Sequence, residues 1–439
     1  MTDPTAPTAE TLLASLITAP PIWSDQATEI GVRALTDTLA VGIGGLGEPQ
    51  TELARAVVSP TAPASLAFLG GVACHALDWD DYMHPLHGHG SSVLLPAAWS
   101  ILAGSGSGAD LLDAFLVGYQ VTFALGLVTS HQHYHHGWHA TSTVGAVGAA
   151  AAAARALGLS PDQAGHALGI AASSAAGLRA NFGTATKALH AGHAARAGVE
   201  AALLARAGAT ASSDWLSGRF GLANVMSAEV SGDGATEVVG AFLATGKHGL
   251  ETAWGLAQKP YACCGSCHAG LDAVIALVTE HDLAPSDILS LELHVDPVVP
   301  LVMPEPTPGD GYQARYCLPW VVAAAAHDRT LGPAQLSPAA LASASIHDLM
   351  SRVTIIGDLE TTDTDRYAGH AVLHTASGSF ERTVRHAGGH PANPMSPEAL
   401  RAKQAAALVY AGHGDRVEEL LGFLAEVTKV DVLPEHWTK

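Results

Sequence analysis

From about Glu10 to Val225 apolar residues recur at spacings of three and four, and alanine and glycine dominate the apolar faces. Such a pattern predicts a run of helices whose axes pack closely, because small side chains let backbones approach one another. Ser160-Pro161-Asp162-Gln163 places an N-cap serine, a proline at the first helical position and a glutamine three residues past the cap, so a helix starts there and runs to about Ala176. His190 to Ala207, closed by Gly208, is a second helix with Ala194, Ala195, Val199, Ala202 and Leu203 in one stripe. The most apolar run, Val144 to Leu157, is alanine and glycine interrupted by Arg155, too short and too weakly apolar for a bilayer, and is expected as a buried helix.

After about Gly255 the period changes to alternation. Ile288–Val295, Arg352–Ile356, His370–Thr375 and Ser379–Arg385 are predicted strands, the last two forming a hairpin that turns at Ala376-Ser377-Gly378. Ala269 to Glu280 is a helix beside this sheet, Pro391, Pro394 and Pro397 mark a boundary, and Pro397 to Glu426 is helical again. The expected fold is therefore mostly α: a large all-helical domain over residues 1–254, completed by 394–439, and a smaller α+β domain over 255–393.

Composition narrows the function classes. The hydrophobic fraction of 48% against 14% charged residues gives ample apolar surface for a compact fold. The net charge of -20 repels nucleic acid and anionic membrane surfaces, so neither is expected as a partner. A small anionic ligand would need a local cationic pocket, and the first lysine in the chain is Lys187. Met1 to Trp23 has no basic region ahead of its apolar residues and does not read as a signal peptide. Five cysteines, three of them crowded at 263, 264 and 267, do not form a regular even framework, which fits a reducing cytoplasm.

Four patches could carry chemistry. His75-Ala-Leu-Asp78-Trp-Asp80-Asp81-Tyr82, followed by His84, His87 and His89, reads either as a solvated acidic turn or as a loop in which carboxylates set the tautomer and basicity of imidazoles. His131, His133, His135, His136 and His139 suggest a metal, but none falls in an HExxH frame; His139, at the mouth of a helix starting near Thr141, is the best placed to meet an anion. Asn181-Phe-Gly-Thr-Ala-Thr-Lys187-Ala-Leu-His190 is a glycine-containing turn delivering a lysine and a histidine to a helix start, with a snorkelling surface lysine as the alternative. Lys259-Pro-Tyr-Ala-Cys263-Cys264-Gly-Ser-Cys267-His268 admits a redox dithiol, a papain-like nucleophile or a zinc site, none with its usual companions, and otherwise a basic loop at a domain junction where ligand sites form.

In this order the patches resemble the MmgE/PrpD family along almost the whole chain. The matching motifs are His75-Ala-Leu-Asp78-Trp-Asp80-Asp81, His89-Gly-Ser-Ser-Val-Leu-Leu-Pro96, Gly137-Trp-His139-Ala-Thr-Ser, Gly177-Leu-Arg-Ala-Asn181-Phe-Gly-Thr184-Ala-Thr-Lys187 with His190, Lys259-Pro-Tyr with His268, and Asn393-Pro394-Met-Ser396. The resemblance implies a helical domain with an α+β lid, an active site in the cleft between them, a homodimer, and a lyase or isomerase that moves a proton beside a carboxylate of a small di- or tricarboxylate without metal or other cofactor. Dehydration or decarboxylation is the expected reaction; an epimerase of the same family, or a redox-sensing relative built on Cys263, Cys264 and Cys267, is the alternative. By correspondence His89 and His139 transfer protons, Asp78 orients an imidazole, and Lys187 and Lys259 clamp carboxylates. Tyr82 stands where the family commonly has threonine, Cys264 where cis-aconitate decarboxylases have histidine, and Trp320 of Arg315-Tyr-Cys-Leu-Pro-Trp320 where tyrosine is frequent; with His268 these are the expected substrate contacts.

Overall fold

The computed structural model describes residues 7–437 apart from 21, 60, 227, 363, 364 and 366. The helical part is built round the Ala140–Ala156 helix, buried without a break from Ala140 to Ala154. Around it pack the helices Gly108–His135, Thr186–Arg206, Pro161–Ser173 and Ser91–Leu102. Alanine and glycine permit this nesting. At the crossing of the Pro63–Ala76 and Thr186–Arg206 helices, a Cβ on Gly71 would stand 2.7 Å from Ala191 O and one on Gly192 2.6 Å from Phe68 O.

Two elements differ from the sequence expectation. The helix opened by Ser160 ends at Ser173 rather than Ala176, and the chain then turns through Gly177 at φ 136, a conformation that glycine alone adopts without strain. The Thr186–Arg206 helix begins four residues before His190, so Lys187 and His190 share one face of its first turn. The Val144–Leu157 run lies in a buried helix, as expected; among the described residues Gly108–Thr129 is the helix long and apolar enough to cross a membrane by length and composition, and 83% of its most apolar 18-residue window is buried inside the molecule, as in a core helix.

The second core lies under a four-stranded sheet of order β4-β3-β5-β6, with β3 Ile288–Val295, β4 Val353–Ile356, β5 Gly369–Thr375 and β6 Gly378–Val384. The β5–β6 hairpin closes at Thr375 opposite Gly378. Alternate residues Leu291, Leu293, Ala371 and Leu373 are buried in a cluster shared with the His268–Glu280 and Leu318–Asp328 helices. Helix Pro397–Tyr410 returns against Asp25–Gly44, where Lys403 Nζ meets Asp37 Oδ2 at 2.7 Å and donates to Trp79 O at 2.9 Å. Two short strands, β1 Tyr82–Met83 and β2 Leu256–Ala257, pair antiparallel and tie the first histidine patch to the segment leading into Lys259. Two residues per strand are too few to show a period in sequence.

Candidate active site

Helix Pro63–Ala76 ends against the packed glycines, and the chain leaves it through Asp78 at φ 50. Aspartate is among the few residues that tolerate this left-handed geometry, common just past a helix end. From there the side chains alternate: Trp79 enters the second core, while Asp78 and Asp80 are buried among polar groups. Asp78 Oδ1 accepts from Lys259 Nζ at 2.6 Å and lies 2.9 Å from Lys187 Nζ; Asp78 Oδ2 accepts from the Tyr316 hydroxyl at 3.2 Å. Burial by itself would raise the Asp78 carboxyl, but the two ammonium groups hold it well below the usual carboxylate range. The lysines respond differently. Burial lowers Lys187 against the pull of Asp78, whereas at Lys259 burial is outweighed by Asp78 and Asp80 and the amine is raised.

Asp80 is the carboxylate that orients imidazoles. It lies 2.8 Å from His75 Nδ1 and 3.2 Å from His89 Nδ1. Burial raises Asp80, yet the two histidines bring it well below the carboxylate range. His89 Nδ1 also donates to Asp81 O at 2.8 Å, and a carbonyl can only accept, so the proton of neutral His89 sits on Nδ1 and Nε2 carries the lone pair. That Nε2 is 3.8 Å from Asp78 Oδ1. Asp78 thus binds the lysines, and the orienting role expected for it falls to Asp80. His75 keeps its buried Nε2 without a hydrogen-bond partner, and burial lowers its pKa to about 3, so it is neutral.

His139 is the N-cap residue of the Ala140–Ala156 helix, its Nδ1 3.0 Å from His190 Nδ1 and its ring edge-on to Phe182. Burial and then the Lys187 charge hold it well below the usual histidine range. The rest of its patch disperses. His133 is a core residue bonded to Thr143 Oγ1 and Met226 O, His135 and His136 are exposed, and the side chain of His131 lies outside the described residues.

A cleft of about 80 Å³ opens beside this cluster, walled by Tyr82, His87, His89, Tyr134, Lys259 and Cys264 among others. Asp78, Lys187 and His139 stand outside that wall. Two expected substrate contacts are corrected. Trp320 is fully buried, its Nε1 donating to Gln335 O at 3.3 Å, because it lies on the face of the Leu318–Asp328 helix turned to the second core. The residue this segment brings to the site is Tyr316, before the helix starts. His268 is 1% exposed and faces Cys263 and Tyr261 rather than the cleft, because it opens the helix behind the loop.

Among the described residues, His75, Asp78, Asp80 and His89 each offer a ligand atom, all within 4.8 Å of one another, a donor set that a divalent cation could use. No spacing in the sequence pointed to it, since the set depends on Asp78 and Asp80 facing the same side. The alternation of acid and tryptophan in Asp78-Trp79-Asp80 was the available signal.

Residues 13–232 match the MmgE/PrpD N-terminal domain and residues 261–421 the MmgE/PrpD C-terminal domain. This chain belongs to the MmgE/PrpD family. Among its relatives, the cis-aconitate decarboxylase of Homo sapiens is 31% identical over 207 residues, 42% of this chain and 43% of that protein. That of Aspergillus terreus is 32% identical over 229 residues, 48% of this chain and 45% of that protein. A cis-aconitate decarboxylase-like protein of Aspergillus oryzae is 28% identical over 285 residues, 57% and 58% of the two chains. The matched chain spans less than half the length of the human and Aspergillus terreus relatives. All of the site residues from Asp78 to Lys187 fall in the stretch assigned to the N-terminal MmgE/PrpD domain, whereas Cys264, His268 and Tyr316 fall in the C-terminal one.

Proposed function

We propose that this MmgE/PrpD chain is a lyase that moves a proton at the carbon next to a carboxylate of a small di- or tricarboxylate, by dehydration or decarboxylation. One observation carries the reading: two ammonium groups, Lys187 and Lys259, converge on one point beside the free Nε2 of His89. In an acidic chain with 21 basic residues against 41 acidic, two buried lysines that share the single carboxylate of Asp78 leave a positive charge for a bound anion. The family relationship to cis-aconitate decarboxylases supports the same class of reaction.

A substrate carboxylate accepts from the two ammoniums. His89 Nε2 takes the proton from the adjacent carbon, and the charge that develops spreads onto the carboxylate oxygens, where the lysines stabilise it in a dry cleft. In dehydration the departing hydroxyl leaves as water, with the proton that His89 has taken or one from the Tyr316 hydroxyl. In decarboxylation the bond to the leaving carboxylate breaks and the carbon is protonated by the same groups. The five free thiols suit a reducing compartment, and cytoplasmic location and a homodimer are part of this reading.

Incubation with a panel of di- and tricarboxylates in deuterium oxide, followed by NMR, tests it. The expected outcome is deuterium at the carbon beside a carboxylate in at least one acid, with loss of water or carbon dioxide. Exchange with no bond cleavage would point to the epimerase alternative. No exchange across the panel would refute proton transfer at carbon.

A further inference from the structure

The loop that brings Lys259 to the site also holds a pair of sulfurs. Cys263 Sγ lies 3.8 Å from Cys267 Sγ and 3.6 Å from His268 Nε2, and all three residues are buried. Cys267 is the N-cap residue of the 13-residue His268–Glu280 helix, whose free N–H groups favour negative charge nearby. Burial raises the Cys263 thiol, but the Cys267 hydrogen bond and the His268 imidazole outweigh it and bring it down to about 6. Burial and the neighbouring Cys263 push Cys267 well above the thiol range. Cys263 is thus the more acidic of the two thiols, and Cys267 the one that holds its proton more tightly. Cys264 differs: its Sγ contacts Ser266 Oγ at 3.2 Å, and burial and then Asp78 raise it.

We propose that Cys263 and Cys267 are an oxidation site for small hydroperoxides, closing to a disulfide that withdraws Lys259 from Asp78. The Cys263 thiolate attacks the peroxide oxygen, the O–O bond breaks, and the leaving alkoxide or hydroxide takes a proton, giving a sulfenic acid at Cys263. The Cys267 sulfur then displaces hydroxide from that sulfenic sulfur, and the hydroxide leaves as water with the Cys267 proton. The peroxide is reduced by two electrons and the two thiols are oxidised. A disulfide is about 2 Å long, so the sulfurs must close by a further ~2 Å. The movement reaches the site directly, because Cys263 O accepts from Lys259 Nζ at 3.1 Å and the intervening Cys264, Gly265 and Ser266 form part of the cleft wall. The consequence for turnover rests on the proposed function; the disulfide and the lysine displacement do not.

The protein is treated with hydrogen peroxide, its remaining thiols are alkylated, and the peptides are mapped by mass spectrometry before and after dithiothreitol. The expected result is a Cys263–Cys267 disulfide reversible by the reductant, with Cys74, Cys264 and Cys317 still alkylated. Labelling by acetic anhydride should rise at Lys259 in the oxidised form and return to its low value on reduction. Cys267→Ser should keep the wild-type turnover, form no disulfide and leave Cys263 as a sulfenic acid trapped by dimedone. A disulfide through Cys264, or Cys263 and Cys267 both alkylated after peroxide, overturns the oxidation site. Unchanged Lys259 labelling in the disulfide form overturns its link to the active site. If no acid is turned over, both measurements still decide the proposal, and only the proposed function fails.

Discussion

Lys187 Nζ stands 2.9 Å from Asp78 Oδ1, and Lys259 Nζ reaches the same oxygen at 2.6 Å. One buried carboxylate therefore offsets the burial of two ammonium groups, fully at Lys259 and in part at Lys187. Removing one lysine leaves Asp78 paired with the other, so the fold persists while half of the anion site is lost. Lys187→Ala should reduce kcat/KM by about 2 to 4 kcal/mol of transition-state stabilisation, roughly 30- to 1,000-fold, with little change in Tm. Unchanged kcat/KM would return Lys187 to a structural role.

His89 and His139 are predicted to carry the protons. Each is held by a second residue, His89 through Asp81 O and His139 through His190. His89→Ala and His139→Ala should each lower the rate by about 10²- to 10⁴-fold. Deuterium wash-in at the wild-type rate in both variants would exclude both histidines as the proton carrier.

Asp81 links the site to stability. Both of its carboxyl oxygens are buried, and burial, with the Asp80 and Asp37 charges and against a hydrogen bond from Ser91, pushes its pKa up to about 8. The unfolded chain ionises this group near pH ~4 while the folded chain keeps it protonated. Its ionisation thus favours the unfolded state increasingly between those values, and stability falls through that window by at most about 1.4 kcal/mol per pH unit. Asp81→Asn removes the dependence, so its Tm relative to wild type should rise from pH 5 to pH 8. A Tm difference that does not change with pH would show Asp81 to be ionised in the fold.

Metal independence is predicted although four ligand atoms cluster within 4.8 Å. Asp78, one of the four, is already neutralised by two ammoniums, and a divalent cation there would stand beside both. Prolonged EDTA treatment should leave turnover unchanged. Loss of activity restored by zinc, iron or manganese would make His75, Asp78, Asp80 and His89 a metal site.

Packing sets the distance on which all of this depends. A Cβ at Gly192 would lie 2.5 Å from Val72 Cγ2 and 2.6 Å from Phe68 O. Gly192→Ala should therefore cost about 1 to 3 kcal/mol of stability, and by forcing the two helices apart should raise KM as well. An unshifted Tm would mean that the crossing can relax.

The sequence by itself determined the helical period up to Val225, the alternation that makes the sheet, the family resemblance, and the segments that hold Asp78, His89, His139, Lys187 and Lys259. These are local signals, written in spacing and residue type over a few turns or strands. It could not decide which carboxylate faces which imidazole, nor that Tyr316 rather than Trp320 reaches Asp78, because these depend on the direction of each side chain after the backbone is placed. Asp78 turned inward through its positive φ, and Gly71 and Gly192 let the Thr186–Arg206 helix bring Lys187 within an ion-pair distance of it. Only the tertiary structure sets such a meeting, since Asp78, Lys187 and Lys259 lie far apart along the chain and are joined by the packing of helices and by the β1–β2 pairing.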